Sequence, residues 1–158
     1  MLSRVLILLI LFGFFSCDQN RVFDKYQSMP NQWSKDSLVK FEFDIKANSY
    51  NTFINIITDK KYKFNNLFLI VAIEDSSRIL TKDTLEYKMA ASSGRLLGKK
   101  LLNTFQNKLW HKEGISFETG KHTISIEHAM RKINQTEGLN LLDGIINIGY
   151  RIEKETKK

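Results

Sequence analysis

Apolar residues recur in this chain at a spacing of two, and that alternation limits it to strands. In residues 40–45, Phe41, Phe43 and Ile45 fall on one side and Lys40, Glu42 and Asp44 on the other. In 121–130 the inward set is Ile124, Ile126, His128 and Met130, with Thr123, Ser125 and Glu127 outward. In 145–152, Ile146, Ile148, Tyr150 and Ile152 share a side. Period two places one face in a core and the other in water, as a half-buried strand does. Residues 22–26, 50–57, 80–89 and 109–112 read as further strands, rich in β-branched and aromatic side chains. The run 67–73, LFLIVAI, is apolar throughout, as expected of a strand buried on both faces; its length and branching argue against a helix segment.

Turn residues separate these segments: Met29-Pro30-Asn31, then 34–37, 47–49, 59–61 and 74–78, Gly114, Gly120, and a loop at 134–138. One stretch differs. Leu97, Leu101, Phe105 and Leu109 recur every fourth residue, which suggests a short helix or an ordered loop over 94–108. Closely spaced strands with turns between them indicate an all-β protein. The expectation is a single antiparallel β-sandwich, jelly-roll-like, of seven to eight strands with at most one short helix.

The first seventeen residues are of another kind. Arg4 is followed by an apolar run from 5 to 15, broken only by Gly13. At 1.5 Å per residue the run is about 16 Å long, too short for a bilayer core of about 30 Å. It therefore reads as a secretory signal. Ser16 and Cys17 complete what resembles a bacterial lipoprotein box, with cleavage before Cys17 and a lipid carried on its sulfur. The organisation expected is a lipoprotein signal peptide at 1–16, a lipidated tether at 17–21, a β-sandwich domain at 22–153 and a flexible basic tail at 154–158. Cys17 is the single cysteine, so its acylation leaves no thiol for a disulfide or for catalysis. Several acyl chains, at about 0.8 kcal/mol per buried CH₂, hold a protein firmly on a bilayer.

The mature chain would be 142 residues, one ordinary domain. It would carry 23 basic and 17 acidic residues, a net charge of +6. Small basic clusters at Lys60-Lys61, Lys99-Lys100 and 154–158 read mainly as solvated surface, or else as contacts for an anionic membrane or an acidic partner. Export excludes nucleic acid as a partner.

No catalytic, cofactor or metal site emerges. His122 and His128 share a strand face but lie some 20 Å apart at ~3.3 Å per residue, so they cannot share a metal, and with His111 they read as scattered histidines with one satisfied in the core. Ser92-Ser93-Gly94 lacks the first glycine of a nucleophile elbow. Asp83 and Glu86, three apart, face opposite sides of a strand. Trp33, Tyr62, Phe64 and Trp110 read first as core filling; if exposed, they would permit glycan or peptidoglycan binding. Arg131 is expected to pair with a neighbouring carboxylate.

Several strings together carry a family likeness: Val22-Phe23-Asp24-Lys25-Tyr26, Tyr50-Asn51-Thr52-Phe53-Ile54-Asn55-Ile56, Asn65-Asn66-Leu67-Phe68-Leu69-Ile70, Asp83-Thr84-Leu85-Glu86-Tyr87-Lys88-Met89-Ala90, Lys108-Leu109-Trp110-His111-Lys112-Glu113 and His128-Ala129-Met130-Arg131. In this order, after a lipobox cysteine, the chain resembles the GldH gliding-motility lipoproteins of Bacteroidota. The resemblance departs at Leu96-Leu97-Gly98, where the family favours Trp-Leu-Gly, and at 115–119, where it tends to carry Pro. It implies a periplasm-facing, lipid-anchored component of gliding motility, linked to type IX secretion and working with other motility or secretion proteins. It implies no catalytic residues, and it leaves open which membrane holds the anchor.

Cys17→Ala is expected to leave the domain folded but untethered, in the soluble fraction. Processing of the wild-type chain that resists globomycin would contradict the lipid anchor.

Overall fold

The computed structural model describes residues 18–30, 32–132 and 137–155. These form eleven strands: β1 (Arg21–Ser28), β2 (Gln32–Ser34), β3 (Val39–Ile45), β4 (Asn48–Asp59), β5 (Asn66–Asp75), β6 (Ile79–Lys88), β7 (Lys99–Leu101), β8 (Thr104–Phe117), β9 (Gly120–His128), β10 (Leu141–Asp143) and β11 (Ile145–Lys154). Eight are long, and β2, β7 and β10 are three residues each. All pairings are antiparallel. One sheet runs β1-β11-β4-β8-β7, a second runs β3-β9-β5-β6, and β10-β2 forms a small ribbon. The all-β sandwich expected from the alternation is the observed architecture.

The two sheets meet through the alternating residues. Val39, Phe41, Phe43 and Ile45 of β3, Leu67, Leu69, Val71 and Ile73 of β5, and Ile124 and Ile126 of β9 face Ile54 and Ile56 of β4 and Ile148, Tyr150 and Ile152 of β11. Each such side chain contributes roughly 1.5–3 kcal/mol by leaving water. Slipping any of these strands by one residue would send its whole apolar set to solvent, so burial fixes the register. Phe23 of β1 bridges one open side, its ring 5.4 Å from Phe43 and 6.5 Å from Phe41. The β2–β10 ribbon closes one end, where Trp33 and Leu142 are fully buried. The Trp33 indole N–H donates to the Ser37 carbonyl at 2.9 Å.

Four details differ from the sequence expectation. The stretch 94–108 contains no helix; it ends in the β7–β8 hairpin, with Leu101 and Leu102 exposed at 52% and 85%. A spacing of four is a multiple of two as well as about one helical turn. Phe105 and Leu109 therefore share the inward face of β8, opposite Thr58 and Ile54. Gly114 is not a turn but lies inside β8 with φ of +61°, its N–H donating to Asn51 Oδ1 at 3.0 Å. The β4–β8 register slips there and again beside His111, so β8 is one long strand with two bulges. A further bulge near Ile146 gives its inward place to the fully buried Ile145. Finally, β5 is sealed on one face only, since Phe68 and Ile70 are half-buried.

Gly144 turns β10 into β11 with φ of +79°, and a Cβ there would stand 2.0 Å from the Tyr62 amide nitrogen. Only glycine fits where the two backbones cross.

Trp33→Ala is expected to lower unfolding free energy by about 3–5 kcal/mol, because it opens a large cavity under the end ribbon. Denaturant titration of both proteins checks this, and a loss within the range of a surface substitution would show that the ribbon does not seal the core.

Candidate functional site

Two polar clusters stand out from the sandwich, one on its surface and one inside. The first lies where the chain enters the fold. Cys17 is outside the described residues, but Asp18 is described. Its carboxylate pairs with Arg151 Nη2 at the end of β11. Arg151 also reaches Asp24 at 2.9 Å and Glu153 at 2.5 Å, and Lys108 Nζ lies 2.6 Å from Glu153. The backbone reinforces the link, since the Lys154 N–H donates to the Asn20 carbonyl at 2.8 Å. Strand alternation places Asp24, Arg151, Glu153 and Lys108 on the outer face of the five-stranded sheet. Hydrogen bonding to Arg151 holds the Asp18 carboxyl below the usual range. Partial burial opposes ionisation of Glu153, but hydrogen bonds from Lys108 and Arg151 outweigh it and hold this carboxyl low as well.

The second cluster joins the two sheets. A β-bulge sets two residues of one strand against one of its neighbour. On β8, His111 and Lys112 face the single residue Thr52 of β4, and both turn towards Asp83 on β6 of the other sheet. Lys112 Nζ stands 2.9 Å from Asp83 Oδ1. His111 Nδ1 is 3.2 Å from the Tyr150 hydroxyl and 3.3 Å from Thr52 Oγ1, while Nε2 points at Asp83 Oδ2 across 3.7 Å. With Nε2 facing a carboxylate, the proton belongs there, and Nδ1 accepts from the Tyr150 hydroxyl. Burial pushes the His111 pKa down to about 4, although the Asp83 charge opposes that shift, so the ring is neutral at pH 7. Tyr87 adds a third tie between the sheets, its hydroxyl donating to the Trp110 carbonyl at 2.6 Å.

An acid, an imidazole and a hydroxyl in a row suggest general-base chemistry, but the geometry does not supply it. The gap of 3.7 Å is too long for a hydrogen bond. Thr52, Tyr150 and the His111 side chain have no surface through which a substrate could reach them. The cluster is a polar cross-link between sheets.

The remaining sequence candidates separate in the fold. All three histidines are buried, not one. His122 stacks on Phe43, and His128 Nε2 lies 3.2 Å from the Trp33 carbonyl. His122 and His128 share the inward face of β9, as alternation required. Among the described residues no group of His, Cys, Asp or Glu is arranged to hold a metal. Asp83 and Glu86 take opposite faces of β6. Of the four aromatics, Trp33 and Tyr62 are core and Phe64 is half-buried; Trp110 is 54% exposed, packed on Phe53 at 4.5 Å. Tyr26, 49% exposed, lies on the same outer sheet face and was not singled out from the sequence, where a short edge strand gives no sign of what covers it. Arg131, expected to find a carboxylate, enters no ion pair among the described residues. The Asp18–Arg151 link was also missed, because 133 positions separate the partners. No helix among the described residues is long and apolar enough to cross a membrane.

The fold and its two clusters define a β-sandwich protein whose polar groups secure the chain entry and the sheet-to-sheet seam. The GldH lipoprotein profile matches residues 21–152, and the chain belongs to that family. It is 43% identical over 143 residues to the gliding motility lipoprotein GldH of Flavobacterium johnsoniae, covering 89% of each chain. It is 44% identical over 144 residues to a GldH homolog of Christiangramia forsetii, covering 89% of this chain and 88% of that one. Among solved structures, a family GH115 4-O-methyl-alpha-glucuronidase aligns with 90% of this chain and 18% of its own, at 11% identity and a TM-score of 0.48. No activity is carried across from that likeness.

The depressed His111 pKa fixes a pH dependence. Between about pH 6.5 and 4 the unfolded chain binds a proton that the folded one excludes, so stability falls as pH drops through that window. The loss is on the order of 3 kcal/mol. His128, also held low by burial, adds in the same direction. Denaturant titrations from pH 7 to 4 are expected to show a shallower slope in His111→Gln than in wild type. Equal slopes would mean that His111 is protonated inside the fold.

Proposed function

We propose that this protein is a membrane-anchored, periplasm-facing lipoprotein that acts in gliding motility without catalysis. It would serve as a component or assembly factor of the gliding and type IX secretion machinery. The observation that carries this reading is the family match along nearly the whole sandwich. The Asp18–Arg151 pairing supports the anchored part. A lipid on Cys17 would sit one residue from a carboxylate bound to the body, so the sandwich would ride close to the bilayer with little slack. The sealed His111 cluster supports the non-catalytic part, since the one acid–imidazole–hydroxyl arrangement described is closed to substrate.

A second reading, lipid-anchored glycan binding, rests on Trp110 and Tyr26, two exposed rings on one sheet face. Base-sized apolar platforms of that kind stack on sugar rings.

Deletion of the gene is expected to stop gliding, and the wild-type chain to restore it. Cys17→Ala should restore it poorly or not at all, while His111→Gln, if it accumulates normally, should restore it fully. Full rescue by Cys17→Ala would remove the anchor from the function. Failure of a stable His111→Gln would reopen catalysis. Retention on peptidoglycan that disappears in Trp110→Ala would favour the second reading.

A further inference from the structure

The two ends of the sandwich are built from different segments. The chain entry at Asp18, the end of β11 and the β3–β4, β5–β6 and β8–β9 turns share one end. The 60–65 loop, the 89–98 segment and the residues after β9 share the other. β4 and β5, joined by the 60–65 loop, span the body, and at ~3.3 Å per residue the two ends are roughly 35 Å apart.

At the end away from the anchor lies an open trough of about 1110 Å³, floored by Phe68 and flanked by Lys63, Lys88, Arg131 and Lys132. A smaller hollow of about 370 Å³ continues it past Phe64 and Ala90 and adds Lys60 and Arg95. None of these six cations forms an ion pair among the described residues. All 17 carboxylate side chains of the sequence lie within the described residues, so this holds for every one of them. The ion pairs involve Arg78, Lys108, Lys112 and Arg151 instead. Glu86 is the one acid in the trough, and its Oε1 is occupied by the Asn66 amide at 2.7 Å. Cations that outnumber the single carboxylate on a concave surface raise the local potential and steer anions to it.

We propose that this trough is a docking site for an acidic segment of a partner protein, with one apolar side chain seated on Phe68 between flanking carboxylates. The inference deepens the non-catalytic reading above and rests on it. On the anchored reading, the headgroups of that bilayer are excluded, because a lipid on Cys17 would hold the opposite end there. The apolar floor of Phe64, Phe68 and Ala90 favours a peptide over an anionic polysaccharide, which brings charge but no aliphatic or aromatic side chain to bury. Rim charges would set association rate and salt sensitivity, and the floor would set residence.

The test uses the full lipidated chain in vesicles of neutral lipid. The probes are a fluorescent peptide alternating Glu and Asp around a central Phe, its Gln/Asn counterpart, and polygalacturonate. The acidic peptide is expected to bind, to weaken as salt rises, and to lose about tenfold or more in affinity in K88E/R131E/K132E. K46E/K121E, at the anchor end, should bind as wild type does. Unchanged thermal unfolding of both variants keeps the comparison interpretable. The proposal is overturned if the acidic peptide binds no better than its neutral counterpart, if both variants weaken alike, or if polygalacturonate competes at equal charge concentration. Gliding separates the two levels. A deletion strain that still glides sinks the motility reading. Peptide binding that survives trough reversal sinks the trough alone.

Discussion

Burial of one face of every long strand between two sheets is the constraint on which the rest depends. The described residues contain no helix and the single cysteine cannot close a disulfide within the chain, so the register is held by Ile, Val, Leu, Phe and Tyr side chains that have no second place to go. The same constraint makes the outer faces free to vary. On those faces the chain places its charges, and there it ties the chain entry at Asp18 to the body. Arg151 is central to that arrangement. It stands on a strand whose other face is fully buried, so its guanidinium is fixed in position and can hold three carboxylates from two chain segments.

Irregularities in β8 matter as much as its regular pairing. Without its two bulges, a strand of fourteen residues would keep strict alternation, and His111 and Lys112 would point to opposite sides. The extra residue lets both reach Asp83 across the gap between sheets. A buried, neutral imidazole then accepts from the Tyr150 hydroxyl, while its own Nε2 and Asp83 Oδ2 have no hydrogen-bond partner. Leaving a buried donor unpaired costs about 1–3 kcal/mol, so what the seam gains at Tyr150 is offset at His111 Nε2.

How much of this could be read from the residues varies by element. β3 and β9 were legible because their polar partners alternate without exception, and the boundaries there fall within a residue or two of the observed ones. The 94–108 stretch was not legible, because a recurrence every fourth residue satisfies both periods and only the partner strand distinguishes them. Gly114 looked like a turn because a left-handed glycine is needed at a bulge as much as at a chain reversal. The aromatics were ambiguous for a different reason. Trp33 and Trp110 sit in similar polar surroundings along the chain, yet one is sealed by a ribbon from residues 141–143 and the other faces solvent.

Local chemistry along the chain determined strands such as β3 and β9 and the expected N-terminal lipid signal, since both are written in neighbouring residues. Its string of family motifs points to the lipoprotein family to which the chain belongs. What only the tertiary structure decided is where charge ends up. Lys63, Lys88, Arg95 and Arg131 are scattered over some seventy positions, and nothing in their spacing joins them. Antiparallel connections return the chain to the same end of the sandwich again and again, and so gather these cations at the end opposite the chain entry at Asp18. Proximity created by topology leaves no trace in spacing, because the lengths of the intervening strands and turns, not the residues between the cations, set where the chain returns.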